Sequence, residues 1–119
     1  MDQLKTHPAS SLLPREIMAL PKVEMPVAGV TGYSLADGEK QLVFFLFDEG
    51  VSFPDHSHCE QRGMVVSGEM LMEIDGKTNL YQAGDVYVVP EGVTHRTSFS
   101  QPTFLIDLSD APDRYKASA

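Results

Sequence analysis

The sequence predicts an all-β domain of antiparallel strands, and three observations carry that expectation. Nine glycines and eight prolines are spread along the 119 residues, the distribution of many short strands joined by turns. Several segments alternate apolar and polar residues with the period of two that sends successive side chains to opposite faces of a sheet. Helical signal is confined to one short stretch, Pro14 to Leu20, closed by Pro21. Apolar types make up 42% and charged types 22%, enough to pack a core and too few charges for a disordered chain. The length fits one domain.

Taken in order, residues 1–22 read as a polar N-terminal segment, frayed over its first 11 positions, with one short helical turn. Val27 to Leu35 is the first strand candidate. Leu42 to Phe47 is continuously apolar, as expected of a strand buried on both faces. Gly63 to Val66 follows. In the next strand Met70, Met72 and Ile74 alternate with Glu69, Leu71 and Glu73, and Asp75-Gly76 supplies the residues of a tight hairpin turn. Val86 to Val89 and His95 to Phe99 come next. Last, Phe104, Ile106 and Leu108 share one face and Asp107 takes the other. The Met64, Met70 and Met72 group reads as core filling, and Leu71 as exposed. Residues 111–119 read as a mobile tail.

Charge excludes several partners. Nine Lys and Arg stand against 17 Asp and Glu, a formal net charge of -8. Neither nucleic acid nor an anionic membrane is expected, because both require a basic footprint. A single cysteine rules out an internal disulfide and a Cys-only zinc site. No apolar run approaches a membrane span, and Met1 to Ser11 lacks the pattern of a secretory signal. The expected location is the cytoplasm.

Chemistry is concentrated in the histidines. Three of the four sit in segments rich in glycine and proline. In Gly50-Val-Ser-Phe-Pro-Asp-His56-Ser-His58-Cys-Glu60-Gln61, two histidines two apart share a face of an extended strand. The third, His95, closes Gly84-Asp-Val-Tyr-Val-Val-Pro90-Glu-Gly92-Val-Thr-His95. Imidazole is the commonest protein ligand for transition metals, and a first-row ion needs three or four convergent donors. The two segments supply such a set only if the fold brings them together.

Both segments resemble the paired motifs of the cupin family, G-x5-H-x-H-x(3,4)-E-x6-G and G-x5-P-x-G-x2-H-x3-N. Gly50, His56, His58 and Gly68 match the first; Gly84, Pro90, Gly92 and His95 match the second. The resemblance spans Gly50 to Ser109, and two motifs in the right order are far more specific than either alone. It implies an antiparallel jelly-roll β-barrel over residues 23–110, holding one divalent transition metal on His56, His58 and His95. Fe, Mn, Zn, Ni, Co and Cu are not distinguished by these ligands. Gly68 then belongs to a hairpin, and Pro90 and Gly92 to the turn that aims His95 inward.

The family's glutamate ligand is displaced. Counting back from Gly68 lands on Gln61, whereas strand parity puts Glu60 on the face of His56 and His58. Gln61 is taken as the fourth ligand, with Glu60 the alternative, because a bulge between the motif halves resets parity. Some small cupins carry glutamine here, in sequences similar to His-Ser-His-x-x-Gln-x-Gly. An amide leaves the ion formally +2 where a carboxylate reduces it to +1, making a stronger Lewis acid held less tightly. Phe99 stands where the family has asparagine; with Thr97 it makes an apolar wall beside His95. Cys59 has the opposite parity and reads as a half-buried thiol, and His7 as a solvated residue. Arg62 and Arg96 flank ligand positions and read as surface residues. Tyr33 and Tyr87 are candidates for the pocket or for packing.

Three functional classes follow. The first is a metal-dependent enzyme acting on a small polar metabolite; the glutamine-bearing site resembles those of small cupins that rearrange or open sugar acids. The second is a binding module that holds metal and ligand without turnover. The third is a structural barrel with a vestigial metal, pairing as a homodimer. The sequence names no catalytic residue.

Overall fold

The computed structural model describes residues 13–56 and 60–117, with the side chain of His56 outside the description. Helix α1 spans Arg15–Met18. Nine strands follow: β1 Val30–Ala36, β2 Gln41–Phe47, β3 Ser52–His56, β4 Gln61–Ser67, β5 Glu69–Ile74, β6 Lys77–Gln82, β7 Val86–Val89, β8 His95–Ser98 and β9 Thr103–Ser109. They form two sheets, one ordered β1-β2-β9-β4-β7 and one ordered β3-β8-β5-β6. Every pairing is antiparallel. The two sheets close face to face as a jelly-roll barrel, and the expected all-β class is what the chain adopts.

The turns follow their local chemistry. Asp75 and Gly76 both have positive φ, 51° and 77°, the pair of left-handed residues that a type I′ hairpin requires. They join β5 to β6, a strand that the sequence reading did not name. Gly68, at φ 83°, turns β4 into β5, which lie in different sheets, so it is a corner between the sheets and not the expected hairpin; a side chain there would collide with Pro102 and Thr103.

Strand β2 is buried on both sides for two different reasons. Val43, Phe45 and Phe47 face the main core with Val65, Met70, Met72, Tyr87, Val89, Phe99 and Leu105. Leu46 and Phe44 face outward, where Leu13, Ile17 and Leu20 cover them together with Tyr33 and Phe104. The short helix and its flanks therefore serve as a cap on the outer face of one sheet, and Tyr33 packs beneath that cap, away from the interior.

Strand β9 puts its residues on the faces opposite to those hydrophobicity alone suggests. Thr103, Leu105, Asp107 and Ser109 are buried, while Phe104, Ile106 and Leu108 are partly exposed. The three methionines divide: Met70 and Met72 lie in the core, but Met64 is 40% exposed, so its reading as core filling is corrected. With Val66, Val86 and Val88 it forms an exposed apolar strip on β4 and the edge strand β7, where Met64 pairs with Val86 and Arg62 with Val88. Leu71 is exposed, as expected, and so is Leu80.

Residues 111–117, read as a mobile tail, run across one end of the barrel. Val23 and Ala117 form an antiparallel bridge, and the Glu24 N–H donates to the Lys116 carbonyl. Buried Gln41 fixes the segment more tightly. Its amide donates to the Tyr115 carbonyl at 2.9 Å and accepts from the Tyr115 N–H at 2.9 Å. One side chain thus satisfies both backbone groups, as a neighbouring strand does.

Candidate functional site

Between the sheets lies a cavity of about 520 Å³. Its walls are mostly apolar, from Phe45, Phe47, Met70, Met72, Val89 and Phe99, and polar groups converge on it from several places, among them Gln61 on β4, Tyr87 on β7, His95 on β8, Asp107 on β9, Glu24 ahead of β1 and Arg114 beyond β9. A mostly apolar pocket with a few convergent polar groups is the usual form of a small-molecule site.

His95 is 4% exposed. Its Nδ1 lies 3.1 Å from the Val93 carbonyl, and a carbonyl only accepts, so Nδ1 carries the hydrogen. In a neutral ring the lone pair is then on Nε2, the arrangement found when a histidine binds metal and its other nitrogen is held by a backbone oxygen. Val93 follows the turn at Pro90 and Gly92, so that turn both delivers His95 and fixes its tautomer. His56 lies directly opposite His95 in the β3–β8 register, beside an irregularity between Phe53 and His56. His7, His58 and Cys59 lie outside the described residues. Among the described residues, no group of three or more His, Cys, Asp or Glu side chains is placed to hold a metal.

Gln61 and Glu60 occupy different environments. Gln61 is 5% exposed and lines the cavity. Glu60 lies outside, with its carboxylate 4.0 Å from Arg62 Nε. Arg62 also reaches Asp110 at 3.2 Å, and Arg96 is paired with Glu73 at 2.6 Å and with Asp55 at 3.7 Å. Both arginines are surface residues engaged with carboxylates. Thr97 and Phe99 line the cavity beside His95, and Phe99 stacks on Phe47 with ring centroids 3.9 Å apart.

A polar cluster that sequence reasoning missed surrounds Gln61. Its Nε2 donates to Asp107 Oδ2 at 2.7 Å, to the Tyr115 hydroxyl at 2.9 Å and to Ser109 Oγ at 3.3 Å. The Tyr87 hydroxyl donates to Asp107 Oδ1 at 2.8 Å. Burial pushes the Asp107 carboxyl up to about 6, opposed by the Tyr87 hydrogen bond and the Arg114 charge. Tyr87 itself is driven well above its usual range, first by burial and then by the Asp107 charge. Arg114 lies over the Tyr115 ring, 4.4 Å from its centroid. Its Nε is buried and has no hydrogen-bond partner among the described residues.

Two signals in the sequence pointed to this cluster, Tyr87 as a pocket candidate and the lone acidic residue within the apolar β9. Arg114 and Tyr115 gave none, because their placement depends on Gln41, 74 positions away.

The barrel and its histidine-bearing strands define the class, and the comparisons agree. The family model described as a cupin domain matches residues 43–107, and the chain belongs to the cupin family. Among solved structures, it is similar to an RmlC-like cupin from Shewanella frigidimarina NCIMB 400, at 30% identity and TM-score 0.69 over 79% of this chain and 86% of that one. It is similar to KdgF from Halomonas sp., at 26% identity and TM-score 0.69, covering 76% of this chain and 87% of that one. Salicylate 1,2-dioxygenase from Pseudoaminobacter salicylatoxidans shares the fold at 18% identity and TM-score 0.67, over 80% of this chain and 30% of that one. No curated protein matches. No helix among the described residues is long and apolar enough to cross a membrane.

Proposed function

We propose that this cupin is a metal-dependent enzyme acting on a small sugar acid. The metal would be a divalent transition ion held by His56, His58, His95 and Gln61. Support for that set comes from the His95 ring, whose Nδ1 is committed to Val93, and from the burial of Gln61 in the same cavity. A bound ion supplies Lewis-acid polarisation of a carbonyl or hydroxyl oxygen. The residues of the chain do the rest. Phe47, Phe99, Met70 and Met72 exclude water, and Tyr87 keeps its hydroxyl hydrogen on Asp107 Oδ1.

The observation that carries the substrate class is Arg114. A buried guanidinium N–H without an acceptor is costly, and a ligand carboxylate entering this cavity would satisfy it with a charge-assisted hydrogen bond. The glutamine at position 61, which resembles that of small cupins acting on sugar acids, agrees with this substrate class.

The test is elemental analysis followed by a thermal-shift screen of the metal-loaded protein. A hexuronate is expected to raise the melting temperature where the matching neutral hexose does not, and Arg114→Ala to abolish that difference. Conversion of the bound hexuronate separates an enzyme from a binding module. A protein that takes up no divalent metal, or responds equally to both sugars, contradicts the reading.

We propose further that two copies pair through β7. That strand is a sheet edge carrying outward Val86 and Val88 beside Met64, and an apolar open edge is suited to strand-to-strand association.

A further inference from the structure

A family that commonly places glutamate among its ligands has glutamine here, and the surroundings of Gln61 supply a reason. Among the described residues, the hydrogen bonds of its amide all run through the nitrogen. The partners are the Asp107 carboxylate, the Tyr115 hydroxyl and Ser109 Oγ. A carboxylate only accepts, so at 2.7 Å from Asp107 Oδ2 the amide must present N–H. A glutamate in the same place would bring an oxygen against that carboxylate in a buried site, where like charges are least tolerated.

We propose that Asp107 and Tyr115 are positioning residues that require an amide at position 61 and turn its oxygen toward the metal. This rests on the metal reading above. The nitrogen is held on one side by strand β9, through Asp107, and on the other by the C-terminal segment, through Tyr115. A planar amide held through its nitrogen has its oxygen direction fixed as well. Gln41 belongs to the same device, because its grip on the Tyr115 backbone sets where the hydroxyl stands. Partners of this kind fix the orientation of metal ligands.

Two measurements test the proposal on the full chain. The first is melting of chelator-treated protein at pH 8 in a double-mutant cycle. Gln61→Glu is expected to lower the melting temperature by about 10 °C through two facing carboxylates. Gln61→Glu combined with Asp107→Asn restores an amide–carboxylate pair with the donor reversed, and is expected to recover most of that loss. Penalties that simply add overturn the pairing.

The second is Co(II) binding, read by chelator competition and by the visible ligand-field spectrum. Tyr115→Phe removes one hydroxyl and no charge; it is expected to weaken Co(II) by about ten-fold and to shift the spectrum. Arg62→Ala, next to Gln61 but outside the barrel, is expected to change neither. An unchanged spectrum and affinity in Tyr115→Phe overturn the positioning role. Failure of the unaltered protein to bind Co(II) or any other divalent metal overturns the metal reading itself and, with it, the role assigned toward the metal, while the melting cycle still decides the pairing.

Discussion

Asp107 links the buried cluster to pH. In the folded chain its carboxyl keeps a proton up to about 6, against 3.8 for the ordinary group. Between those values the folded state holds a proton that the unfolded chain has released, so stability falls as pH rises through that window. The contribution is complete below 3.8 and gone above about 6. A shift of that size corresponds to about 3 kcal/mol at most. Relative to Asp107→Asn, whose side chain does not titrate, chelator-treated protein is therefore expected to lose stability between pH 5 and pH 7 in denaturant titrations. Asp37 and Asp110, lowered by backbone amides and by Lys40 respectively, lose their contributions only at more acid pH and do not mask it. Beside Asp107, Gly63 leaves the room that the Tyr87 hydroxyl occupies. Gly63→Ala would press into that ring and the Ile106 carbonyl, and is expected to cost about 1–3 kcal/mol in the same titrations. At this scale the sequence was legible where residue type and spacing carry the meaning. His95 and its turn fall there. The cluster around Gln61 was not legible: one inward aspartate in an apolar strand reads as the solvent side until its neighbours are known.

Among the elements, the strands with clear alternation were foreseen to within a few residues, and Asp75-Gly76 marked its hairpin. β6 escaped notice because its residues are mostly exposed, so no buried face imposes a period. The C-terminal segment escaped for another reason. Its composition is that of a polar tail, and only the buried Gln41 amide converts it into part of the barrel. Gln41→Ala is expected to release it: amide hydrogens of residues 113–117 should exchange much faster, with a stability loss of about 1–3 kcal/mol. Slow exchange persisting there in the variant would show that the Val23–Ala117 bridge suffices alone. The outer face of β2 shows the same dependence on context, since its burial requires Leu13, Ile17 and Leu20 from a segment with weak helical signal.

For the molecule as a whole, the apolar strip on β4 and β7 predicts self-association. Light scattering is expected to give twice the mass of the chain, and Val86→Lys with Val88→Lys to return it to the single chain while the fold is retained. A monomer in both cases removes the proposed pairing. Strand order has a different consequence, one that concerns biosynthesis. β9 lies between β2 and β4, yet it is translated after the other eight strands. While the chain grows, β2 and β4 lack the partner that joins them, and the five-stranded sheet cannot assemble until residue 109 clears the ribosome tunnel. Long-range pairing of this kind is slow and leaves strand edges open in the interim. The nascent cupin therefore depends on late closure, and the strand that completes the sheet is the one that brings Asp107 to the cavity.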